Sequence, residues 1–348
     1  MSVGHRALPS RAVPVYGHDL GVVPVAVAER EEVEVAPCPV CGASRARPVY
    51  RLGDLEQRLV VCPACGLGRL HPMPDEATVR SFYEGPYYGQ GGRKFGALEE
   101  LLVRLAARRQ ARRLARGLRP GDRVLDVGCG RGALLSAFAD RGLEAHGVEM
   151  SEAAVEGTDP RARVRIAWRL RDAAYAGGSF RRVVFWHVLE HLRDPEDALL
   201  EVRRILADDG QLHVAVPNFS SLQARWAGPA WFHLDPPRHL WHFPLSALVR
   251  LLESRGFRVA ATHHFSLRQD PFGWVQSALN RVPGERRDAL YAQLLRGGDT
   301  GRSAWALALR LAYWAAMPPA VVLSLLTAAG RSGATVHVVA RPALPGDA

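Results

Sequence analysis

Lysine is nearly absent from this sequence of 348 residues: of its 45 basic residues, only Lys94 is a lysine. A net charge of +10 ordinarily suggests a nucleic-acid partner, but a general preference for arginine over lysine accounts for much of that charge. The sequence also lacks a positively charged leader followed by a long apolar stretch, which is the mark of secretion. We therefore expect a cytoplasmic protein and give the positive charge little weight.

Cysteine is also scarce, with five residues, four of which form the pairs Cys38/Cys41 and Cys62/Cys65. Each pair is followed by glycine, which permits a knuckle turn, and 20 residues separate the pairs. Four thiolates at this spacing form a tetrahedral shell around Zn²⁺, whereas two disulfides would need an oxidising compartment. We predict a zinc ribbon over residues 37–72. Because all four ligands are thiolates, no position stays open for a catalytic water, and the zinc is structural.

The fifth cysteine, Cys129, lies in a glycine-rich loop. Residues 123–127 are mostly β-forming, and a helical pattern over 133–138 follows the loop directly. The glycines of the loop let the backbone approach a ligand, and the helix N-terminus offers unpaired N–H groups to an anion such as a carboxylate. The stretch therefore predicts a strand, a tight turn and a helix that bind a nucleotide-like cofactor.

Two acidic residues narrow the identity of that cofactor. Asp126 precedes Gly128 by two positions, where a carboxylate suits a cationic amino acid group better than a pyrophosphate. Glu149 ends the next predicted strand, 19 residues after Gly130, and is placed to accept both hydroxyls of a ribose. The glycines alone also fit a dinucleotide fingerprint that ends at Ala133. The acidic residues favour the first interpretation.

Strand and helix patterns alternate from residue 121 onwards. This alternation predicts an α/β fold with a doubly wound, mostly parallel seven-stranded sheet that binds ligands at the carboxyl ends of its strands. We divide the chain into a mostly disordered tail at 1–36, the zinc ribbon at 37–72, a helical linker or lid at 73–120 and the main domain at 121–348, with a helical insertion at about 268–332. The Tyr- and Gly-rich residues 83–92 suit a lid as well as a plain surface loop.

Four segments together carry a family resemblance. They are Asp126-x-Gly-x-Gly-x-Gly, Glu149, His187-Val-Leu-Glu-His-Leu-Arg-Asp-Pro195 and Pro237-Arg-His-Leu-Trp-His-Phe243. They resemble the ubiquinone-biosynthesis-type branch of the class I S-adenosylmethionine (SAM) methyltransferases, in relatives that carry an N-terminal four-cysteine zinc module. One departure is Phe180-Arg181-Arg182, where such proteins usually have Phe-Asp.

The resemblance implies a SAM site with defined parts. The amino acid part of SAM would contact Asp126, Gly128, Cys129, Gly130 and Gly132, the ribose would contact Glu149, and the adenine would contact Met150, Leu170 and Asp172. His187 would lie near the departing methyl group. Transfer to a hydroxyl or carbon requires removal of a proton, and an imidazole titrates near neutral pH.

Histidines are dense between residues 219 and 243, where the substrate pocket is expected. We predict His239 as the general base, with His187, His242 and His191 as further candidates. A histidine packed between aromatic rings and bonded to backbone is an equally good interpretation of His239. A metal held by a histidine pair with Glu190 is a third interpretation.

The leading function is a SAM-dependent methyltransferase that acts on a hydroxyl or carbon of a small pathway intermediate, such as a sugar or polysaccharide precursor or a secondary metabolite. The alternative is an RNA methyltransferase whose zinc ribbon and arginine-rich helix at 104–116 bind nucleic acid. Tyr50 is the only aromatic residue between the two cysteine pairs, and base stacking needs more. The sequence therefore argues against a nucleic-acid partner. A SAM-binding protein without turnover fits the complete set of acidic and glycine residues poorly.

An apolar run from Leu311 to Gly330 has no charged residue and the length of a membrane span. Pro318 and Pro319 interrupt it, and a single crossing would place the last strand on the wrong side of the membrane. We predict two packed helices joined at the prolines. A second interpretation is an apolar surface at 303–330 that contacts a membrane or a lipid-like substrate.

Overall fold

The computed structural model describes residues 21–26, 31–53, 55–83, 97–282, 287–295 and 304–343. The strands are β1 Val22–Pro24, β2 Val33–Glu34, β3 Arg45–Leu52, β4 Arg58–Val61, β5 Gly68–His71, β6 Arg123–Val127, β7 Glu144–Glu149, β8 Arg163–Ile166, β9 Phe180–Trp186, β10 Leu206–Pro217, β11 Trp241–His242, β12 Phe257–His263 and β13 Thr335–Pro342. The helices are α1 Glu76–Ser81, α2 Ala97–Leu114, α3 Ala133–Ala139, α4 Glu152–Val155, α5 Pro195–Ile205, α6 Leu222–Ala227, α7 Leu245–Ser254, α8 Asp270–Leu279, α9 Ala289–Leu295 and α10 Ala304–Ala329.

The larger sheet has the strand order β12-β13-β10-β9-β6-β7-β8. Strands β6 to β10 are parallel, whereas β13 runs antiparallel between β10 and β12. Parallel strands covered on both faces must be apolar on both faces, and four of the five residues of β6 are buried. The predicted α/β fold with a mostly parallel seven-stranded sheet is confirmed.

The direction of winding reverses between β6 and β9. From β6 the chain adds β7 and β8 on one side, and it then returns to add β9 and β10 on the other. Ligands of open α/β sheets bind beside such a reversal, at the carboxyl ends of the strands. Asp126 lies near the end of β6 and His187 directly follows β9, so both border this crevice.

The smaller sheet joins the cysteine-rich segment to the main domain. Its order is β1-β3-β4-β5-β11, with β2 on β3, and β11 pairs with β5 so that His242 lies opposite Gly68. A Cβ atom on Gly68 would lie 2.9 Å from the Cβ atom of His242, so glycine permits this close approach. The zinc ribbon therefore shares a sheet with the main domain, across the boundary predicted at residue 72.

The described residues of the predicted tail, 21–26 and 31–36, contain two short strands. Strand β1 pairs with β3 along Val22–Pro24, and β2 pairs with β3 at Val33 and Glu34. These pairings satisfy backbone groups of β3 that would otherwise need water. The rest of the tail, and residues 84–92 of the predicted lid, lie outside the described residues.

Helix α10 is continuous, so the prediction of two helices joined at the prolines is wrong. Pro318 and Pro319 lie inside it. Each proline removes one backbone hydrogen bond, to the carbonyl four residues earlier. Those carbonyls belong to Trp314 and Ala315, which are both exposed, so water can replace the lost bonds. The described part of the insertion is otherwise helical, as predicted, and α10 packs against α8 and α9.

Within the described residues, one stretch, Leu311–Ala329, is long and apolar enough to cross a membrane by length and composition. Only 17% of that stretch is buried. The register of β10 against β9 shifts between Leu206 and Gln211.

Candidate active site

A cavity of about 1690 Å³ lies at the carboxyl ends of β6, β7 and β9. One side of it is lined by the glycine loop, and the other by residues 232–239, α8 and α10. The cavity therefore joins the predicted cofactor site to the segment rich in aromatic and histidine residues.

The glycine loop adopts the predicted turn between β6 and α3. Gly128 has a φ of 69°, and a Cβ atom there would lie 2.6 Å from Val188, the residue after His187. Glycine at this position therefore lets the loop contact the end of β9. The Gly128 N–H donates to the Val148 carbonyl at 2.7 Å, which anchors the loop to β7.

Glu149 is held at the end of β7 by three backbone N–H groups. Its Oε2 atom accepts from Gly130 at 2.9 Å, and its Oε1 atom accepts from Met150 at 2.9 Å and from Ser151 at 3.3 Å. The carboxylate is buried yet lines the cavity. It is thus oriented toward the position where a ribose would bind.

Asp126 is buried on the same side of the cavity. Burial, together with the nearby charge of Glu149, raises the pKa of Asp126 to about 8. A cationic ligand group would stabilise the ionised carboxylate. The site is therefore electrostatically suited to the ammonium group of an amino acid.

The structure brings most of the predicted cofactor residues to the cavity. The lining includes Asp126, Gly128, Cys129, Gly130, Glu149, Met150, Leu170 and His187. Burial raises the pKa of the Cys129 thiol, which therefore stays protonated.

Gly132 and Asp172 are not among the lining residues. Gly132 instead caps α3 in a left-handed conformation. Asp172 is exposed, and its carboxylate accepts from the backbone N–H of Arg169 at 3.3 Å, so local capping holds it away from the cavity. Trp168 and Arg169, which the sequence analysis did not select, line the cavity beside Leu170.

The four candidate histidines differ in position. His187, His191 and His239 line the cavity, but His242 does not. His242 lies in β11 and donates from Nε2 to the Leu234 carbonyl at 3.1 Å, so pairing with the ribbon directs it away from the site. Its prediction as a catalytic base is not supported by its position.

His239 is buried and bonded to backbone. Its Nδ1 donates to the His233 carbonyl at 2.9 Å, and its Nε2 lies 3.6 Å from Asp235 Oδ2. Burial and the neighbouring imidazoles of His191 and His242 hold its pKa well below the usual range. His239 is therefore a neutral imidazole that presents Nε2.

His187 has a φ of 56°, a left-handed conformation that turns the chain sharply after β9. Its Nδ1 atom lies 3.3 Å from Glu190 Oε1. The structure also brings Glu190, His191 and His239 together, with their ligand atoms within 4.8 Å of one another. His239 is distant from the other two in sequence, so sequence spacing gave no signal for this grouping.

The four cysteines of the ribbon form a second cluster. Cys38 and Cys65 have their sulfurs 3.5 Å apart, as do Cys41 and Cys62, and all four sulfurs lie within 4.8 Å of one another. The N–H groups of Gly42 and Gly66 each donate at 2.8 Å to the carbonyl of the first cysteine in their pair. Two equivalent knuckles thus present a thiolate set that fits tetrahedral Zn²⁺.

Residues 95–262 match a family model described as a methyltransferase domain. A ubiquinone biosynthesis O-methyltransferase of Alkalilimnicola ehrlichii is 34% identical over 105 residues, which are 28% of this chain and 42% of that protein. Its counterpart in Xanthomonas campestris is 32% identical over 106 residues, covering 28% and 44%. The chain thus spans less than half the length of these relatives.

Among solved structures, a SAM-dependent methyltransferase from Archaeoglobus fulgidus aligns with 18% identity and a TM-score of 0.45, over 70% of this chain and 98% of that one. This structural similarity does not enter the family assignment. The assignment depends on the family match, the curated relatives and the loop that links Asp126 to Glu149. On that evidence, residues 95–262 of the chain form a methyltransferase domain of the class I SAM-dependent type.

Proposed function

We propose that this protein transfers the methyl group of SAM to a hydroxyl or carbon of a small molecule. The observation that carries the proposal is the shared cavity: the loop that would hold the methyl donor and the histidines that would receive a proton line the same space. Methyl transfer needs donor and acceptor in line, with water excluded.

The donor would lie across the crevice between β6 and β9. Asp126 would pair with its ammonium group, and Glu149 would accept from its ribose hydroxyls. Leu170 and Trp168 line the cavity where an adenine ring would pack. His187, where the chain continues after β9, lines the same cavity and would lie beside the bound donor.

His187 is the residue that we propose as general base for a hydroxyl acceptor. It follows β9 at the reversal of the sheet and lines the cavity, and the Glu190 carboxylate lies 3.3 Å from its Nδ1. His239 has its Nδ1 held by the His233 carbonyl and its Nε2 near Asp235, which supports a different role.

The acceptor side of the cavity is aromatic and apolar. It is lined by Phe232, Phe265, Phe272, Tyr291, Tyr313 and Met317. Such a surface suits an acceptor with an aromatic or lipid-like body better than a bare sugar. The curated relatives are named O-methyltransferases of ubiquinone biosynthesis, which supports a hydroxyl as the group that is methylated.

RNA has less support as an acceptor. Cys38, Cys62 and Cys65 are buried in the same core cluster as Leu240 of the main domain. The ribbon therefore has an internal packing role, and β11 extends its sheet. No observation in the described residues requires it to contact nucleic acid.

Membrane contact has a specific structural argument. Leu311, Trp314, Val322, Leu325 and Leu326 are each more than half exposed, and their helical spacing places them on one face of α10. The buried residues Leu309, Ala320 and Ser324 lie on the opposite face. Trp314 also lines the cavity. We propose that this face rests on a lipid surface, from which a lipid-like acceptor reaches the site.

The function is tested with SAM that carries a tritiated methyl group. The full chain is incubated with a small-molecule extract of the source organism or, separately, with its total RNA. We expect label in the small-molecule fraction, and label in RNA would support the alternative acceptor. His187→Gln should lower transfer by roughly 100-fold or more, while calorimetry should still detect SAM binding. Wild-type protein that fails to bind SAM would contradict the proposed function.

A further inference from the structure

Glu190 is a buried carboxylate without a hydrogen-bonded partner. It is 1% exposed, and within the described part of the chain neither of its oxygens accepts a hydrogen bond. His187 Nδ1 approaches Oε1 at 3.3 Å without the alignment of a hydrogen bond. Burying a charge this way is costly unless a cation compensates it.

Two imidazoles face this carboxylate. His191 belongs to the same 3₁₀ turn as Glu190, and His239 reaches it from the chain after Leu234. One ligand atom from each of the three residues lies within 4.8 Å of the others. Ligand atoms around one transition-metal ion lie roughly 3–4 Å apart, so small side-chain shifts would bring all three to one ion.

Backbone carbonyls orient both rings. His191 Nδ1 donates to the Arg238 carbonyl at 3.0 Å, and His239 Nδ1 donates to the His233 carbonyl at 2.9 Å. Each ring therefore presents Nε2. Metal-binding histidines almost always donate their other ring N–H to a carbonyl or carboxylate in this way. The Tyr83 hydroxyl, 2.8 Å from His191 Nδ1, is a further contact on the same side of that ring.

We propose that Glu190, His191 and His239 bind a divalent transition-metal ion, separate from the zinc of the cysteine cluster. Two imidazoles and one carboxylate are a donor set for Fe²⁺, Mn²⁺ or Zn²⁺. Three protein ligands leave coordination positions open. His191 and His239 line the cavity, so these positions face the acceptor.

The proposed role in catalysis depends on the proposed methyltransferase function. An acceptor hydroxyl bound to the ion is easier to deprotonate. The acceptor oxygen then forms a bond to the methyl carbon, and the carbon–sulfur bond of SAM breaks with its electron pair passing to sulfur. The hydroxyl proton passes to His187, and the products are a methyl ether and S-adenosylhomocysteine.

The site is tested by Mn²⁺ binding, which needs no acceptor and no turnover. The full chain is first given one equivalent of Zn²⁺ per chain, which the four thiolates bind in preference to a site with only two imidazoles and a carboxylate. It is then titrated with Mn²⁺, with free Mn²⁺ followed by electron paramagnetic resonance. We expect one Mn²⁺ site per chain. Glu190→Gln and His239→Gln should each weaken it by at least about tenfold. Glu201→Gln, which changes a buried glutamate paired with Arg204, is the matched control and should bind Mn²⁺ like the wild type.

A second measurement uses only the wild type, so it tests the proposal even if the variants fold poorly. Electron spin echo modulation of Mn²⁺ on the wild-type chain should show coupling to imidazole nitrogen. Absence of Mn²⁺ binding to the wild type, absence of that coupling, or equal binding by Glu190→Gln in a folded protein would each overturn the proposal. SAM affinity measured on the same samples is independent, so failure of the metal site is distinguishable from failure of the methyltransferase function.

Discussion

The backbone N–H of Gly130 donates a 2.9 Å hydrogen bond to Glu149 Oε2, which joins the loop after β6 to the end of β7. The two residues are 19 positions apart in sequence, and the parallel pairing of β6 with β7 brings them together. The bond orients the carboxylate before the cofactor binds. The same residue therefore shapes the loop and lines the cavity.

Replacing Glu149 with alanine should weaken SAM binding by about 30- to 100-fold. Two hydrogen bonds from ribose hydroxyls to a carboxylate contribute roughly 2–3 kcal/mol. Isothermal titration calorimetry measures the effect. Glu152→Ala, an exposed position on α4, is the control and should leave the affinity unchanged. A Glu149→Ala protein with native SAM affinity would show that the ribose binds elsewhere.

SAM binding should release a proton from Asp126. Its pKa is raised to about 8, so the carboxyl group is mostly protonated at pH 7 without ligand. The ammonium of SAM favours the ionised form and lowers that pKa on binding. We therefore expect release of close to one proton at pH 7. Affinity should rise with pH between about 6 and 8, by at most tenfold per pH unit.

Calorimetry in two buffers of different ionisation enthalpy measures the proton count. Asp126→Asn removes the titrating group, so its SAM affinity should be lower and its proton release close to zero. A wild-type protein that releases no proton near pH 7 would mean that Asp126 is already ionised before SAM binds, or that it does not contact the ammonium group.

The cofactor side of the site follows from local sequence. Strand, loop and helix around Gly128 are specified by neighbouring residues, and Glu149 follows one strand later. Asp172 has the chain position expected of an adenine contact, but its carboxylate instead accepts from the Arg169 N–H three residues away. Short-range capping competes with ligand contact for such side chains, and sequence does not show which one prevails.

The acceptor side depends on long-range contacts. His239 meets Glu190 and His191 because the chain before β11 returns to the turn after β9, where the Leu240 N–H donates to the Glu190 carbonyl at 2.9 Å. His242 and His239 are three residues apart, and yet only His239 lines the cavity. Helix α10 continues through two prolines because its solvent-facing carbonyls do not need intrahelical partners. None of these outcomes has a local sequence signal.

Loss of zinc from the cysteine cluster should affect more than the ribbon. Cys65→Ser should abolish zinc binding and lower the free energy of unfolding by more than about 4 kcal/mol, because metal sites of this kind contribute directly to folding. The loss should also weaken activity, since β5 holds β11, and Trp241 of β11 donates to the Leu192 carbonyl at 2.8 Å.

Zinc content by mass spectrometry and unfolding by urea test this prediction. Cys129→Ser is the matched control, because Cys129 lies outside the cluster and its replacement should leave the zinc content at one ion per chain. Stoichiometric zinc in Cys65→Ser, or unchanged unfolding after zinc removal from the wild type, would contradict a structural role.

The exposed face of α10 should bring the full chain to lipid vesicles. Leu325→Gln/Leu326→Gln should weaken binding to phosphatidylcholine vesicles containing a fraction of anionic lipid by roughly tenfold or more. Burial of apolar area contributes about 25 cal/mol per Å², and both side chains are more than half exposed. Flotation in a sucrose gradient measures the bound fraction.

Leu200→Gln provides the matched control, because Leu200 on α5 is 53% exposed but lies apart from α10. Its vesicle binding should equal that of the wild type. High salt separates the two contributions to binding, since it screens the attraction between the net charge of +10 and anionic lipid but leaves apolar contact in place. A wild-type chain that remains monodisperse without detergent and does not float with vesicles at low salt would exclude membrane contact by α10.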